Sequence, residues 1–313
     1  MAGKKKIRIY YRAPSHVPLW KVMEEGGFLE KHGLEMEMGS LEGQRKRAAE
    51  GLKAGDLDVV SGNHHNLYAR KALQGDPYVH IGQSNNSWRE NYLVCGKGVA
   101  GLQDLKGKQV AMDDYDGHTG LNVWLYLRKN GLEEGRDVEL VTDPVKGAER
   151  AKGVIDGKYD ATFIRAVDRL RALKFGAKII EVPPMAMIEG VTLTTTTTYV
   201  KAHEDEARSL IMALIDGIHF FKTNKADTVK IVKQQCSQLL KMQSDEEWDC
   251  FYDNQAASLE SAPYPSIEAL QNVFALAVKR DPQIKEFNPL ALWDLHYVKE
   301  IDDSGYIRRL YAK

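Results

Sequence analysis

One pattern, strand, loop, helix, strand, helix and strand, occurs twice in this chain, and each time the third strand is entered through Gly-x-x-Asp: Gly55-Asp56-Leu57-Asp58 and Gly157-Lys158-Tyr159-Asp160. In the first occurrence, residues 7–11 alternate with β-favouring side chains and stop before Pro14. Residues 18–28 then carry helical periodicity, 35–38 alternate again, 44–54 form a charged amphipathic helix, and 57–60 form a short strand after a helix stop. In the second, residues 109–112 precede a loop and an apolar helix through Leu127, followed by a strand over 138–141, a helix over 148–155 and a strand over 159–164. Strands that alternate with helices pair in parallel, because a parallel neighbour is reached only through a crossover. Two such runs predict two α/β lobes.

The 313 residues and 43% hydrophobic content supply enough material for two cores. Val191-Thr192-Leu193 and the threonines to Thr198 are a β-branched run that reads as a strand returning to the first lobe, and residues 204–280 are helical. The expected division is 1–95 plus 197–313 for lobe 1, with the C-terminal helices, and 96–196 for lobe 2. With 43 basic and 44 acidic residues, net charge −1, the chain has no surplus to hold nucleic acid, and Lys4-Lys5-Lys6 reads as a solvated lead-in to the first strand. Three cysteines with no C-x-x-C spacing support neither a disulfide framework nor a zinc ribbon. No apolar stretch reaches the roughly 20 residues that span a bilayer, and no membrane insertion is expected. If Met1 is the natural start, the chain belongs in the cytoplasm; if it is a mature chain trimmed after secretion, it is periplasmic.

The segment Tyr11-Arg12-Ala13-Pro14-Ser15-His16-Val17-Pro18-Leu19-Trp20 and the helix exit Glu24-Glu25-Gly26-Gly27-Phe28-Leu29-Glu30-Lys31-His32-Gly33-Leu34 resemble the first strand and first site loop of the type 2 periplasmic solute-binding proteins. The similar branch holds nitrate, taurine and alkanesulfonate receptors and thiamine-pyrimidine synthases. Asp104-Leu105-Lys106-Gly107-Lys108-Gln109-Val110 and Asn288-Pro289-Leu290-Ala291-Leu292-Trp293-Asp294 fit the same plan, so the resemblance runs over nearly the whole chain. It implies an α/β, two-lobed type 2 periplasmic-binding-protein-like fold with a ligand cleft between the lobes. Two loops depart from it. Ser61-Gly62-Asn63-His64-His65-Asn66 stands where receptors more often carry small residues and prolines, and His118 stands where Ser or Thr is common. The cysteine-rich iron motif of the pyrimidine synthases is absent, which argues against their chemistry here.

Ligands of open α/β sheets sit beyond the carboxyl ends of strands. That rule selects Arg12, Ser15 and His16 from the first loop, Asn63, His64, His65 and Asn66 from the third, Ser84, Trp88, Arg89 and Glu90 from the crossover, Asp113, Asp114, Tyr115, His118, Thr119 and Arg165 from the second lobe, and Glu189 and Thr192 near the return strand. Gly117-His118-Thr119-Gly120 before a helix offers N–H groups to an anion, or is a capped helix with an idle histidine. Arg165 suits a bidentate grip on a carboxylate or sulfonate, or a salt bridge with Asp168 or Glu189. Trp88 beside Arg89 and Glu90 reads as an aromatic wall for a planar substrate, or as buried core. His64 and His65 suit hydrogen bonding or proton transfer near neutral pH, or loop support. No organic cofactor is implied. A divalent metal at the histidines needs a further ligand such as His16 or Asp113, and no H-x-x-x-H spacing supplies one.

Two functions fit this residue set. The first is a cytosolic lyase of decarboxylase type, with Arg12 and Arg165 anchoring an anionic, aromatic or carboxylated molecule and His64, His65 or His118 with Asp113 or Asp114 moving the proton. The second is the receptor of an ABC uptake system for a carboxylate, sulfonate or aromatic acid, working with a permease. The crowding of titratable groups in the loops favours the first.

Overall fold

The computed structural model describes residues 3–62, 64–115 and 117–312. Among the described residues ten strands occur in chain order: β1 (Lys5–Tyr11), β2 (Leu34–Ser40), β3 (Val59–Ser61), β4 (Tyr78–Ser87), β5 (Tyr92–Cys95), β6 (Lys108–Met112), β7 (Val138–Thr142), β8 (Ala161–Ile164), β9 (Lys178–Glu181) and β10 (Ala186–Thr196). The chain divides into two compact units, one of residues 1–86 and 187–313 and the other of residues 87–186.

The first unit holds a five-stranded sheet in the order β2-β1-β3-β10-β4. β1 runs parallel to both β2 and β3, and β10 returns antiparallel to β3. Ile7 and Ile9, the apolar phase of β1, are fully buried and lie level with Met36 and Met38 of β2. Helix Val17–Glu25 packs its buried Leu19, Trp20, Val22 and Met23 into the same core as helix Glu204–Thr223, and the approach is close: a Cβ on Gly217 would sit 2.5 Å from Met23 Cγ. The second unit repeats the plan as β7-β6-β8-β5-β9, with β6 parallel to β7 and β8 and β5 antiparallel to β8 and β9.

The repeated Gly-x-x-Asp has one physical reason in both places. Gly55 and Gly157 end their helices at φ +79° and +74°, a conformation that favours glycine. Three residues on, the aspartate clasps the neighbouring parallel strand of its sheet, β1 for Asp58 and β6 for Asp160. Asp58 Oδ2 accepts from Arg8 N at 2.7 Å while Asp58 N donates to Arg8 O at 3.2 Å. Asp160 Oδ2 accepts from Gln109 N at 2.9 Å while Asp160 N donates to Gln109 O at 3.0 Å.

Strand pairing sets the unit boundaries about ten residues earlier than the sequence reading. All of β5 bonds to β8 and β9, which takes residues 87–95 out of the first unit, and β10 bonds to β3, which brings residues 187–196 into it. The threonine run also stops being a strand sooner. The side chain of Thr196 accepts from Tyr199 N and caps a short helix, Thr197–Ala202. Among the described residues no helix is long and apolar enough to cross a membrane.

Candidate functional site

In the first unit the carboxyl ends of β1 and β3 lie side by side, and the ladder continues one step beyond them through Arg12 N donating to Ser61 O at 3.3 Å. Pro14 opens a single 3-10 turn, Pro14–His16, that turns His16 back over this junction. His16 Nδ1 lies 3.1 Å from the Ser61 carbonyl oxygen and 3.2 Å from its hydroxyl. A carbonyl oxygen only accepts, so Nδ1 carries a proton and donates in this bond. Gly62 makes this arrangement fit: its φ is +94°, and a Cβ there would stand 2.7 Å from His16 Cε1. His64, also buried, places its ring 6.5 Å from that of His16 at an interplanar angle of 35°. His65 is the buried residue that precedes helix Asn66–Gln74, whose first residue is Asn66. Ser15 contributes its carbonyl oxygen to Gln255 Nε2 at 3.4 Å, which ties this loop to helix Asp245–Ser258. Asn63 lies outside the described residues.

Behind this group runs a buried polar seam through β4 and β10. Thr192 Oγ1 donates to Gln83 Oε1 at 2.5 Å, and Gln83 Nε2 donates to the Glu189 carbonyl at 2.7 Å. Ser84 Oγ accepts from Val191 N at 3.0 Å, and Thr194 Oγ1 donates to Gly62 O at 2.6 Å. Thr194 therefore accepts from His80 Nδ1, 2.9 Å away, and His80, fully buried against the Trp293 ring, is held neutral with its pKa pushed down to about 3. The hydroxyls of Ser84 and Thr192, expected to meet substrate, are engaged in bonds across the sheet. Gln83, His80 and Thr194, not selected from the sequence, hold the floor beneath Gly62.

The second unit gathers a different set. Arg165 is the residue before helix Ala166–Lys174, and its Nε pairs with Glu90 Oε1 at 3.1 Å, a partner the sequence reading did not name. Glu90 is 5% exposed. Trp88 corrects the aromatic-wall reading: it has no exposed surface and packs at centroid distances of 5.0 Å from Tyr126 and 5.5 Å from Phe163. Arg89 beside it is half-buried. Asp113 Oδ1 accepts from Asp114 N at 2.7 Å, and the Asp114 carbonyl accepts from Gly117 N at 3.0 Å. Tyr115 gives its hydroxyl to Glu134 Oε2 at 2.6 Å. His118 and Thr119 begin helix His118–Lys129, extended Gly117 before them offers no side chain as a cap, and Asp114 Oδ2 lies 2.9 Å from where a Cβ on Gly117 would stand. Its glycine is required: a Cβ on Gly120 would stand 2.1 Å from Asp114 O.

Among the described residues no group of three or more His, Cys, Asp or Glu is placed to hold a metal ion, and Cys95, Cys236 and Cys250 are thiols rather than disulfides. The catalytic candidates fall into separate units, His64 and His65 in the first and Asp113, Asp114 and His118 in the second.

The two sheets, each with a parallel 2-1-3 core and an antiparallel return strand, have the fold of the type 2 periplasmic binding proteins. The chain belongs to the NMT1/THI5-like family, whose model matches residues 13–228. Its fold is similar to that of the periplasmic aliphatic sulphonate binding protein SsuA from Escherichia coli, at 15% identity over 91% of this chain and 93% of that one with a TM-score of 0.64. It is similar also to the periplasmic nitrate-binding protein NrtA from Synechocystis PCC 6803 (13% identity, 96% and 89% covered, TM-score 0.64) and to the desulfurization enzyme DSZB (16%, 95% and 99%, 0.64). No curated protein matches the chain significantly.

Proposed function

We propose that this chain is the solute-binding component of an ABC-type uptake system and holds a small anionic organic molecule, a sulfonate or a carboxylate. The observation that carries the reading is His16, clamped through Nδ1 by Ser61 beside Arg12 at the ends of β1 and β3. With Nδ1–H committed to Ser61, Nε2 of the protonated ring is the donor for an anionic head group, and Arg12 from the same strand end supplies a further positive charge. In the second unit, Arg165, 40% exposed, is by itself a group suited to an anion. The folds of the sulphonate and nitrate receptors support this role, which implies a permease partner and a place outside the cytoplasmic membrane. It requires no metal or organic cofactor, so chelation is expected to leave affinity unchanged.

The test is calorimetric titration with aliphatic sulfonates, nitrate and aromatic carboxylates, followed by mass analysis of the recovered ligand. Saturable binding of one class with the ligand returned intact is the expected result. Loss of CO2 or sulfite from a bound ligand overturns the receptor reading in favour of an enzyme, the second reading, which the paired rings of His16 and His64 and the fold shared with a desulfurization enzyme favour. Absence of saturable binding to any class sinks both.

A further inference from the structure

We propose that the first unit carries a second ligand site, for a small organic phosphate, in a cavity of about 410 Å³ lined by the helices Arg45–Ala54 and Asn66–Gln74 and the end of Ile267–Arg280. This goes beyond the solute-binding role: the cavity shares His65 and Asn66 with the strand-end loop but takes its cations from three helices.

Three cations line the cavity, Lys46, Arg70 and Arg280, against one acid, Asp281. Arg70 is not neutralised by its neighbour. Its Nε pairs with Asp76 at 2.8 Å, but the same carboxylate takes Lys53 Nζ at 2.5 Å, so one buried negative charge is divided between two positive ones. The Arg70 guanidinium also lies over the Tyr78 ring at 5.2 Å, which fixes its plane. The rest of the lining is short or flat: three alanines and the buried ring of His65 leave the volume open and give it an apolar wall. A cavity of this size exceeds what a bare ion fills and falls within the range of roughly 300–1,000 Å³ for small-molecule sites. Several separated cations above an apolar wall match a dianionic phosphate on an organic group better than a single carboxylate.

Phenyl phosphate, benzoate and inorganic phosphate, titrated calorimetrically into the full chain, test the proposal. Phenyl phosphate is expected to bind saturably, with benzoate and inorganic phosphate each at least tenfold weaker. Lys46→Glu with Arg280→Glu, both at exposed positions, is expected to weaken phenyl phosphate at least tenfold. Ala69→Phe, which fills the half-buried wall without changing charge, does the same with the thermal midpoint as a check on folding. His16→Ala leaves it unchanged, which separates this site from the solute site. The proposal is overturned if wild type does not bind phenyl phosphate saturably, if the charge-reversed or filled variants bind it as wild type does, or if His16→Ala abolishes it.

Discussion

His16 donates from Nδ1 to the carbonyl oxygen of Ser61 across 3.1 Å, and the residue after Ser61 is a glycine with no room for a Cβ beside that ring. The imidazole is thus gripped by backbone on one edge and stacked on backbone at another. Removing the ring with His16→Ala is expected to weaken solute binding at least tenfold, the equivalent of about 1.4 kcal/mol, with little loss of fold stability. Gly62→Ala strikes the same ring indirectly. It forces a side chain into a positive-φ conformation and pushes His16 from its seat, at about 1–3 kcal/mol in stability together with lost affinity. Equal affinity in both variants and wild type, by calorimetry, removes His16 from the site.

Asp58 and Asp160 clasp β1 and β6, the middle strands of the parallel trios of their sheets. Asp58→Ala strips the acceptor from Arg8 N, Nε and Nη2 at an 11% exposed side chain, and about 2–3 kcal/mol of unfolding free energy is expected to go with it. Asp160, at 32% exposed, holds fewer groups, and its alanine variant is expected to cost less. Urea unfolding of both variants, with tryptophan fluorescence to report the midpoint, decides the order; an Asp160→Ala loss larger than that of Asp58→Ala contradicts it.

His80 makes stability depend on pH in a defined direction. Burial depresses its pKa from 6.5 to about 3, so above pH 6.5 the ring is neutral in folded and unfolded chains alike. Between pH 6.5 and 3 the unfolded chain takes up a proton that the folded chain refuses, and stability falls with acidification by about 1.4 kcal/mol per pH unit from this group. His80→Gln removes that titration. The stability gap between wild type and variant is therefore expected to shift in favour of the variant as pH drops from 7 to 4.5, measured by urea midpoints at several pH values. A gap independent of pH sinks the assignment.

The fold was legible because strand and helix periods alternate twice and because Gly-x-x-Asp marks the same turn in both units. β4 was not legible. Its buried run Gln83-Ser84-Asn85-Asn86 carries no hydrophobic alternation, and its polar groups are satisfied only by partners far away in the chain, such as Thr192 and the Glu189 carbonyl for Gln83. The same limit misplaced Trp88. A tryptophan next to Arg89 and Glu90 has the composition of a site wall, and only the approach of Tyr126 and Phe163, decided by packing, makes it core. His16 was selected by strand-end logic, whereas its hold on Ser61 depends on a turn geometry that Pro14 starts but does not specify.

Arg165 and Glu90 test whether an ion pair can serve both structure and binding. Glu90 is nearly buried and Arg165 is 40% exposed, so the carboxylate bears most of the desolvation and depends on the guanidinium for compensation. Removing Arg165 takes away part of that compensation at a buried carboxylate, whereas removing Glu90 leaves a cation with access to water; truncating one partner of a buried pair costs about 3–5 kcal/mol, with a partly exposed pair at or below the lower end. Arg165→Ala is therefore expected to destabilise the second unit more than Glu90→Gln does. If Arg165 also grips the anionic solute, Glu90→Gln frees its fork and is expected to tighten binding, while Arg165→Ala weakens it at least tenfold. Thermal midpoints and calorimetric affinities for the two variants separate the cases: a stability loss with affinity unchanged in both variants makes the pair structural only.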